Sequence, residues 1–154
     1  MKKAELENLV KEIVEQANVL KNKHTEHKNA PVNYACIFSQ SESEYKELLS
    51  ATKEIGKVIT ETPTGFLFHI KPVQTVGGEL KLLKIRIIDP TRPERGDADF
   101  TIDDFKEFED KYLPKENFIR MDKKDFYMIE LMDKEFNVRA YFSNPPLDKE
   151  LGIE

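Results

Sequence analysis

The segment spanning residues 66–88 constrains the fold more than any other part of the chain. Two runs rich in β-favouring residues, 66–71 and 80–88, flank Gly77-Gly78, a dipeptide typical of hairpin turns. In the second run apolar and basic residues alternate, so one face of this strand is expected to be buried and the other to be wet and basic. The alternating residues are Leu83, Lys84, Ile85, Arg86 and Ile87. The chain therefore needs a sheet with one face covered by other elements.

Three helices are predicted from apolar spacing and capping residues. Residues 3–23 carry apolar side chains at the three-and-four spacing of one helical stripe. Ser41 followed by Glu44 has the spacing of a capping box and predicts a second helix that ends near Gly56. Thr101, with Asp104 three residues later, predicts the start of a third. The predicted strands cover residues 32–39, 57–61, 66–71, 80–88, 118–121, 126–132 and 138–142.

The resulting order, α-β-α-β-β-β-α-β-β-β, predicts an α+β fold. Hairpins outnumber βαβ crossovers, so we expect a mixed or mainly antiparallel sheet of about six to seven strands with three helices on one face. Residues 1–147 are expected to form a single domain, and residues 148–154 a frayed polar tail. No internal repeat is visible in the sequence.

Composition and charge disfavour several classes of function. The formal net charge of -5 argues against general nucleic-acid binding. Cys36 is the single cysteine, so an internal disulfide and a Cys-rich zinc site are excluded, and its apolar surroundings predict a buried, inert thiol. There is neither an 18-residue apolar run nor a signal-peptide core after Met1, which predicts a cytoplasmic protein with no membrane partner.

The charged segment of residues 89–100 is the place where a binding site is most expected. It follows the basic-faced strand and contains two prolines. Arg86, Arg92 and Arg95 could hold a phosphate or carboxylate through bidentate hydrogen bonds, with Lys84 adding a point charge. Alternatively the arginines pair with the acids of the same segment and simply hold an ordered connection in place. Those acids are Asp89, Glu94, Asp97 and Asp99.

His69 is the weak candidate for a catalytic residue. Strand alternation places it on the face opposite Phe68, where it could approach Arg86 across the hairpin. With Asp97 or Asp99 as partner, this arrangement would suit a hydrolase or a phosphoryl-transfer enzyme. A single strand histidine is more often a half-buried hydrogen bonder, because no nucleophile and base occur in a recognisable order.

The sequence predicts neither a metal site nor a cofactor. His24 and His27 are spaced for a helix end but provide only two ligands. Gly77-Gly78 lacks the context of a nucleotide-phosphate loop. The expected function is therefore a non-catalytic binding or interaction domain for a small anionic ligand. The stripe of the N-terminal helix either covers the sheet or forms a homodimer interface.

Three segments together resemble a small prokaryotic family of conserved hypothetical proteins, a domain of unknown function. They are residues 61–65 (ETPTG), 89–100 (DPTRPERGDADF) and 139–146 (RAYFSNPP), and the likeness covers about residues 32–147. The resemblance implies a cytosolic bacterial or archaeal protein. It implies no activity, cofactor or substrate, and no residue role follows from it.

Overall fold

A computed structural model describes residues 1–152 as an α+β fold, which confirms the predicted class. The described residues form eight strands and four helices, whereas six to seven strands and three helices were predicted. The helices are α1 (Lys3–His24), α2 (Glu42–Lys53), α3 (Phe105–Tyr112) and α4 (Leu147–Glu150). The strands are β1 (Val32–Phe38), β2 (Gly56–Thr62), β3 (Gly65–Thr75), β4 (Gly78–Arg86), β5 (Gly96–Phe100), β6 (Phe118–Asp122), β7 (Tyr127–Leu131) and β8 (Val138–Asn144).

All eight strands belong to one mixed sheet that is built from two units of the same topology. The strand order is β2-β3-β4-β1-β5-β8-β7-β6. In the first unit β1 is followed by α2 and by the antiparallel β2, β3 and β4, and β4 returns parallel to β1. In the second unit β5, α3, β6, β7 and β8 repeat this pattern, with β8 parallel to β5. The units meet through the antiparallel β1–β5 pair, and the strand order is symmetric about this pair.

Strand β5 is the main correction to the sequence-based prediction, which treated residues 89–100 as an irregular segment. Glycine, aspartate and alanine disfavour strands, so GDADF lacks the usual strand signal. The segment nevertheless lies at the centre of the sheet, is paired on both sides, and is buried at each position. Gly96 is required there, because an added Cβ would lie 2.2 Å from the carbonyl oxygen of Cys36.

Helices α1, α2 and α3 contribute to the hydrophobic core on one face of the sheet, as predicted. The apolar stripe of α1 is buried and packs against strands of both units, including β1, β3, β5 and β8. This stripe therefore covers the sheet and is not available for a dimer interface. The buried stripe consists of Leu6, Val10, Ile13, Val14, Ala17 and Leu20.

Two helix starts test the capping predictions. The Ser41 side chain accepts a hydrogen bond from the Glu44 N–H, which confirms the predicted cap of α2. Helix α3, however, is capped by Asp104 and not by Thr101. The Thr101 hydroxyl instead accepts a hydrogen bond from the Asn33 side chain, which ties the end of β5 to β1.

The chain after β8 crosses to the other face of the sheet. Residues 147–150 form the short helix α4, which includes three residues of the predicted frayed tail, while residues 153–154 of that tail lie outside the described residues. Helix α4 contacts β1. No helix among the described residues has the length and apolar character needed to cross a membrane.

Candidate functional site

A cavity of about 270 Å³ lies on the face of the sheet opposite helices α1 to α3. All eight strands contribute to its lining, from Thr60 and Thr62 on β2 to Met121 on β6. Because residues near both edges of the sheet line one cavity, the sheet curls around it. The lining also includes Arg92 from the connection between the two units and side chains from α4.

The first unit provides the basic part of the lining. Lys84 and Arg86 point from β4 into the cavity, as the alternation of this strand predicts. The Lys84 ammonium donates to the Thr64 hydroxyl at 2.5 Å, and burial lowers the pKa of Lys84. The Arg86 guanidinium pairs with Asp89 at 3.2 Å, while its Nε is buried without a hydrogen-bond partner among residues 1–152.

Arg92 reaches the cavity from the connection between β4 and β5. Its Nη1 donates to the Tyr141 hydroxyl at 3.0 Å, and its guanidinium carbon lies 5.6 Å from the centre of the Phe38 ring. In the part of the chain that the structure describes, Arg92 forms no salt bridge with a carboxylate. The alternative in which the arginines pair with acids of residues 89–100 therefore does not apply to Arg92.

The second unit provides two buried carboxylates on β5, Asp97 and Asp99. Asp99 accepts hydrogen bonds from the Asn33 amide at 3.0 Å and from the Ser143 hydroxyl. Burial raises the pKa of Asp99 to about 6 in spite of these donors. Burial also raises the pKa of Asp97, to about 7, although the nearby Arg92 and Lys84 act in the opposite direction.

A buried polar network fixes the floor of the cavity beside β5. The Tyr141 hydroxyl donates to Glu130, which also accepts from Arg139 at 3.3 Å. Arg139 in turn pairs with Glu94 at 2.8 Å. Because Tyr141 accepts from Arg92 and donates to Glu130, its hydroxyl is held in one orientation and links the arginine to the network.

Arg95, predicted as a ligand-binding residue, is not part of the cavity. Its guanidinium forms two hydrogen bonds with the Glu44 carboxylate, at 2.7 and 3.0 Å, and a third with the Phe38 carbonyl oxygen at 3.1 Å. The partner, Glu44, lies in the first turn of α2 and is not an acid of residues 89–100. Arg95 is therefore an internal structural contact, and Arg92 and Arg86 are the arginines that line the cavity.

His69 is also outside the cavity. It lies on the same face of the sheet as Lys84 and Arg86, as predicted, but it is exposed and pairs with Leu82 and Lys57. Arg86 lies four positions after Leu82 on β4, which is roughly 13 Å along a strand. The structure thus brings Arg92 and Asp97 to one cavity and leaves the histidine elsewhere.

Cys36 lies between Lys84 and Asp97 in the sheet and is 1% exposed, which confirms the prediction of a buried thiol. Burial raises the pKa of this thiol, so it stays protonated and unreactive. The two histidines considered as metal ligands make different contacts. His24 contacts Asp133 at 2.9 Å, and His27 packs against Phe108. No group of three metal-ligating side chains occurs within residues 1–152.

The remaining lining is largely apolar, and a charged floor under apolar walls suits an amphipathic ligand. The apolar residues are Leu67, Met121, Phe126, Met128, Leu147 and Leu151.

Sequence reasoning missed Tyr34 and Tyr141 in the lining and assigned Asp97 and Asp99 chiefly to pairing with arginines. A usable signal was present for Tyr141, since Arg139, Tyr141 and Ser143 alternate with apolar residues on β8. No comparable signal identified β5, because its two aspartates resemble loop residues.

No protein-family model matches this chain, and no curated protein matches it. A solved structure from structural genomics, protein EC4020, shares its fold with a TM-score of 0.70 at 8% identity, over 93% of this chain and 87% of that one. A mutant of 4-hydroxymandelate synthase from Streptomyces coelicolor aligns at 14% identity with a TM-score of 0.32, over 75% of this chain and 48% of that one. The resemblance to a prokaryotic family of unknown function stays a prediction.

Proposed function

We propose that the protein is a non-catalytic binding domain for a small amphipathic anion, held in the cavity of the curled sheet. The observation that carries this proposal is the position of Arg92, which lines the cavity without a carboxylate partner among the described residues. A guanidinium offers paired N–H donors that match a carboxylate or phosphate group. Lys84 lines the same cavity and adds a second positive charge.

The size and lining narrow the class of ligand. A volume of about 270 Å³ suits a single aromatic ring or a short branched chain bearing one anionic group. Methionine side chains such as Met121 and Met128 adapt to irregular apolar shapes and contact aromatic rings favourably. We therefore propose aromatic or branched aliphatic carboxylates and phosphate monoesters as the ligands, in a protein that acts in the cytoplasm.

The alternative, a hydrolase or phosphoryl-transfer enzyme based on His69, has less support. Its acid–base pair needs His69 within hydrogen-bond reach of Asp97 or Asp99. His69 is not among the residues that line the cavity, whereas both aspartates are. The geometry therefore favours a binding function over this catalytic one.

Thermal unfolding in the presence of small anions tests the proposal. Benzoate, phenylacetate and phenyl phosphate are expected to raise the melting temperature at pH 6, because a ligand that binds only the folded state stabilises it. Benzyl alcohol and benzylamine, which have the ring without the anionic group, should give no such shift. Acetate and inorganic phosphate, which lack the ring, should give a weaker one.

A matched pair of arginine variants locates the binding. Arg92→Ala should weaken benzoate binding about 10- to 100-fold, the loss expected for one charged hydrogen-bonding group. Arg95→Ala removes a guanidinium that is already paired with Glu44, so the benzoate affinity should stay within about twofold of wild type. The proposal fails if none of the three aromatic anions binds, or if Arg92→Ala leaves their affinity unchanged.

A further inference from the structure

The two carboxylates on β5 differ in how their oxygens are satisfied. Both oxygens of Asp99 accept hydrogen bonds, one from Asn33 and one from Ser143. Asp97 is only 5% exposed, and its Oδ1 is buried without a hydrogen-bond partner within residues 1–152. A buried oxygen without a donor makes the ionised form of a carboxyl group costly. Asp97 is thus the carboxyl group of the pair that is prepared to hold a proton.

The charges that line the cavity favour the uptake of a proton by one of its carboxylates. Arg86 is neutralised by Asp89 at 3.2 Å. When the other lining groups are all ionised, positive and negative charges are equal in number, so the cavity has little attraction for an anion. One proton on Asp97 leaves a single positive charge in excess. The groups concerned are the cations Lys84, Arg92 and Lys123 and the carboxylates Asp97, Asp99 and Glu150.

We infer that the cavity binds its anionic ligand together with one proton, which Asp97 takes up from solvent. This inference rests on the binding function proposed above and adds the protonation state in which the site works. The proton converts the Asp97 carboxylate into a neutral carboxyl group, and no other bond forms or breaks. Its O–H can then donate a hydrogen bond to the ligand's anionic group, while Arg92 and Lys84 balance that group's charge.

The groups that surround Asp97 on the neighbouring elements support proton uptake by this residue. Its pKa, raised by burial to about 7, means that proton uptake occurs near neutral pH. An anion bound beside it would raise that pKa further, because like charges disfavour each other. The titratable and charged groups around it are Tyr34 and Cys36 on β1, Lys84 and Arg86 on β4, Arg92 on the connection, Asp99 on β5, and Arg139 and Tyr141 on β8.

Direct measurement of proton uptake tests the inference. Benzoate is the probe, since it stays ionised throughout the range used. When neutralised benzoate is added to wild-type protein in unbuffered salt solution, the medium should become more alkaline. Uptake should approach one proton per bound benzoate at about pH 8 and fall towards zero at about pH 5.5, where Asp97 is already protonated. The dissociation constant should rise about tenfold per pH unit above pH 7 to 8.

Two matched variants assign the proton. Asp97→Asn keeps the size and a hydrogen-bond donor but cannot ionise, so benzoate should bind without proton uptake and with similar affinity at pH 6 and pH 8. Asp99→Asn should retain the uptake of wild type. If uptake persists in Asp97→Asn and disappears in Asp99→Asn, the assignment to Asp97 is wrong.

Failure of the inference and failure of the proposed function give different results. Benzoate binding with an unchanged dissociation constant from pH 5.5 to 8.5 and no proton uptake would overturn the inference alone. Absence of binding by every anion at every pH would overturn the binding function as well. The measurement on wild-type protein decides between these outcomes even if a variant does not fold.

Discussion

Lys21 shows how a single buried charge is accommodated in this fold. The side chain is fully buried in the last turn of α1. Its ammonium donates to the carbonyl oxygens of His27 and Lys28, at 2.5 and 3.2 Å, and to the Asn22 side chain at 2.9 Å. The acceptors are neutral, and burial lowers the pKa of Lys21 to about 8. The charge thus orders the turn after α1 at a cost in desolvation.

The stability of the protein is expected to depend on the protonation of Lys21. Because its pKa is lower in the folded state than the ordinary 10.5, the folded state binds fewer protons between about pH 8 and pH 10.5. The stability associated with neutral Lys21 is present above pH 10.5 and is lost as pH falls through about 8. In Lys21→Met this dependence should be absent.

The measurement is the free energy of urea unfolding for wild type and for Lys21→Met at several pH values. The difference, wild type minus variant, should rise by up to about 3 kcal/mol between pH 8 and pH 10.5. Lys46→Met replaces an exposed lysine and serves as the control, for which the free-energy difference should not rise with pH. A constant difference for Lys21→Met would contradict the prediction.

Individual residues were predictable where the local sequence determines their surroundings. Cys36 lies in an apolar run, so its burial followed directly from its neighbours. Lys84 and Arg86 alternate with buried residues, and their shared face was predicted correctly. The partner of Arg95 could not be found in this way, because Glu44 is 51 residues away along the chain. Local acids such as Asp97 and Asp99 were closer in sequence but not in the fold.

At the scale of elements, the start of α2 is joined to the central strands by one carboxylate. Glu44 accepts from the backbone N–H of Gln40 at 2.9 Å and binds both terminal nitrogens of Arg95. Arg95 also donates to the carbonyl oxygen of Phe38 at the end of β1. A residue in the first turn of α2 therefore also fixes the segment that enters β5.

Glu44→Gln is expected to destabilise the fold by about 1 to 2 kcal/mol. The substitution keeps the shape of the side chain but removes a charged, bidentate contact that is less than a quarter exposed. Glu47→Gln, at an exposed position of the same helix, should change the unfolding free energy by less than about 0.5 kcal/mol. Urea unfolding of the two variants checks this, and equal effects would contradict a special role for Glu44.

Elements with strong periodicity were predicted well, and β5 was not. Helix α1, the β3–β4 hairpin and the β7–β8 hairpin were all predicted, because apolar spacing and turn residues mark them. Pro72 was expected to end β3, but the strand continues to Thr75. Its register with β4 is irregular between His69 and Val73, around the proline. Strand β5 forms by pairing with β1 and β8, which are distant in sequence, and no local sequence pattern indicates this pairing.

At the scale of the whole molecule, α1 holds the two units together. It packs against β1 and β3 of the first unit and against β5 and β8 of the second. We expect Val14→Ala, which truncates a fully buried side chain of α1, to cost about 2 kcal/mol. Val19→Ala on the same helix, at a position that is 53% exposed, should cost less than about 0.5 kcal/mol.

Hydrogen exchange distinguishes global from local destabilisation by Val14→Ala. If the two units unfold together, the slowest amides of β4 and β8 should lose the same amount of protection. Loss of protection in one unit alone would show that the units open independently.

The repeated topology was not predictable from the sequence, because equivalent strands carry different residues. The β1–β5 pair joins Ala35 to Ala98, but beside it the first unit has Tyr34 and Cys36 where the second has Asp97 and Asp99. The apolar stripe of α1 no longer supports a homodimer, because it is buried against the sheet. The homodimer stays a prediction, which the molecular mass in solution at two protein concentrations would test.

Each strand of the curled sheet serves two neighbourhoods, since successive side chains point to opposite faces. On β5, Ala98 and Phe100 belong to the hydrophobic core, whereas Asp97 and Asp99 border the cavity. Under the proposed binding function, substitutions of Asp97, Asp99 or Lys84 are therefore expected to change which ligand binds, while the packing beneath α1 to α3 stays the same. A few such exchanges would then change the ligand preference without rebuilding the interior.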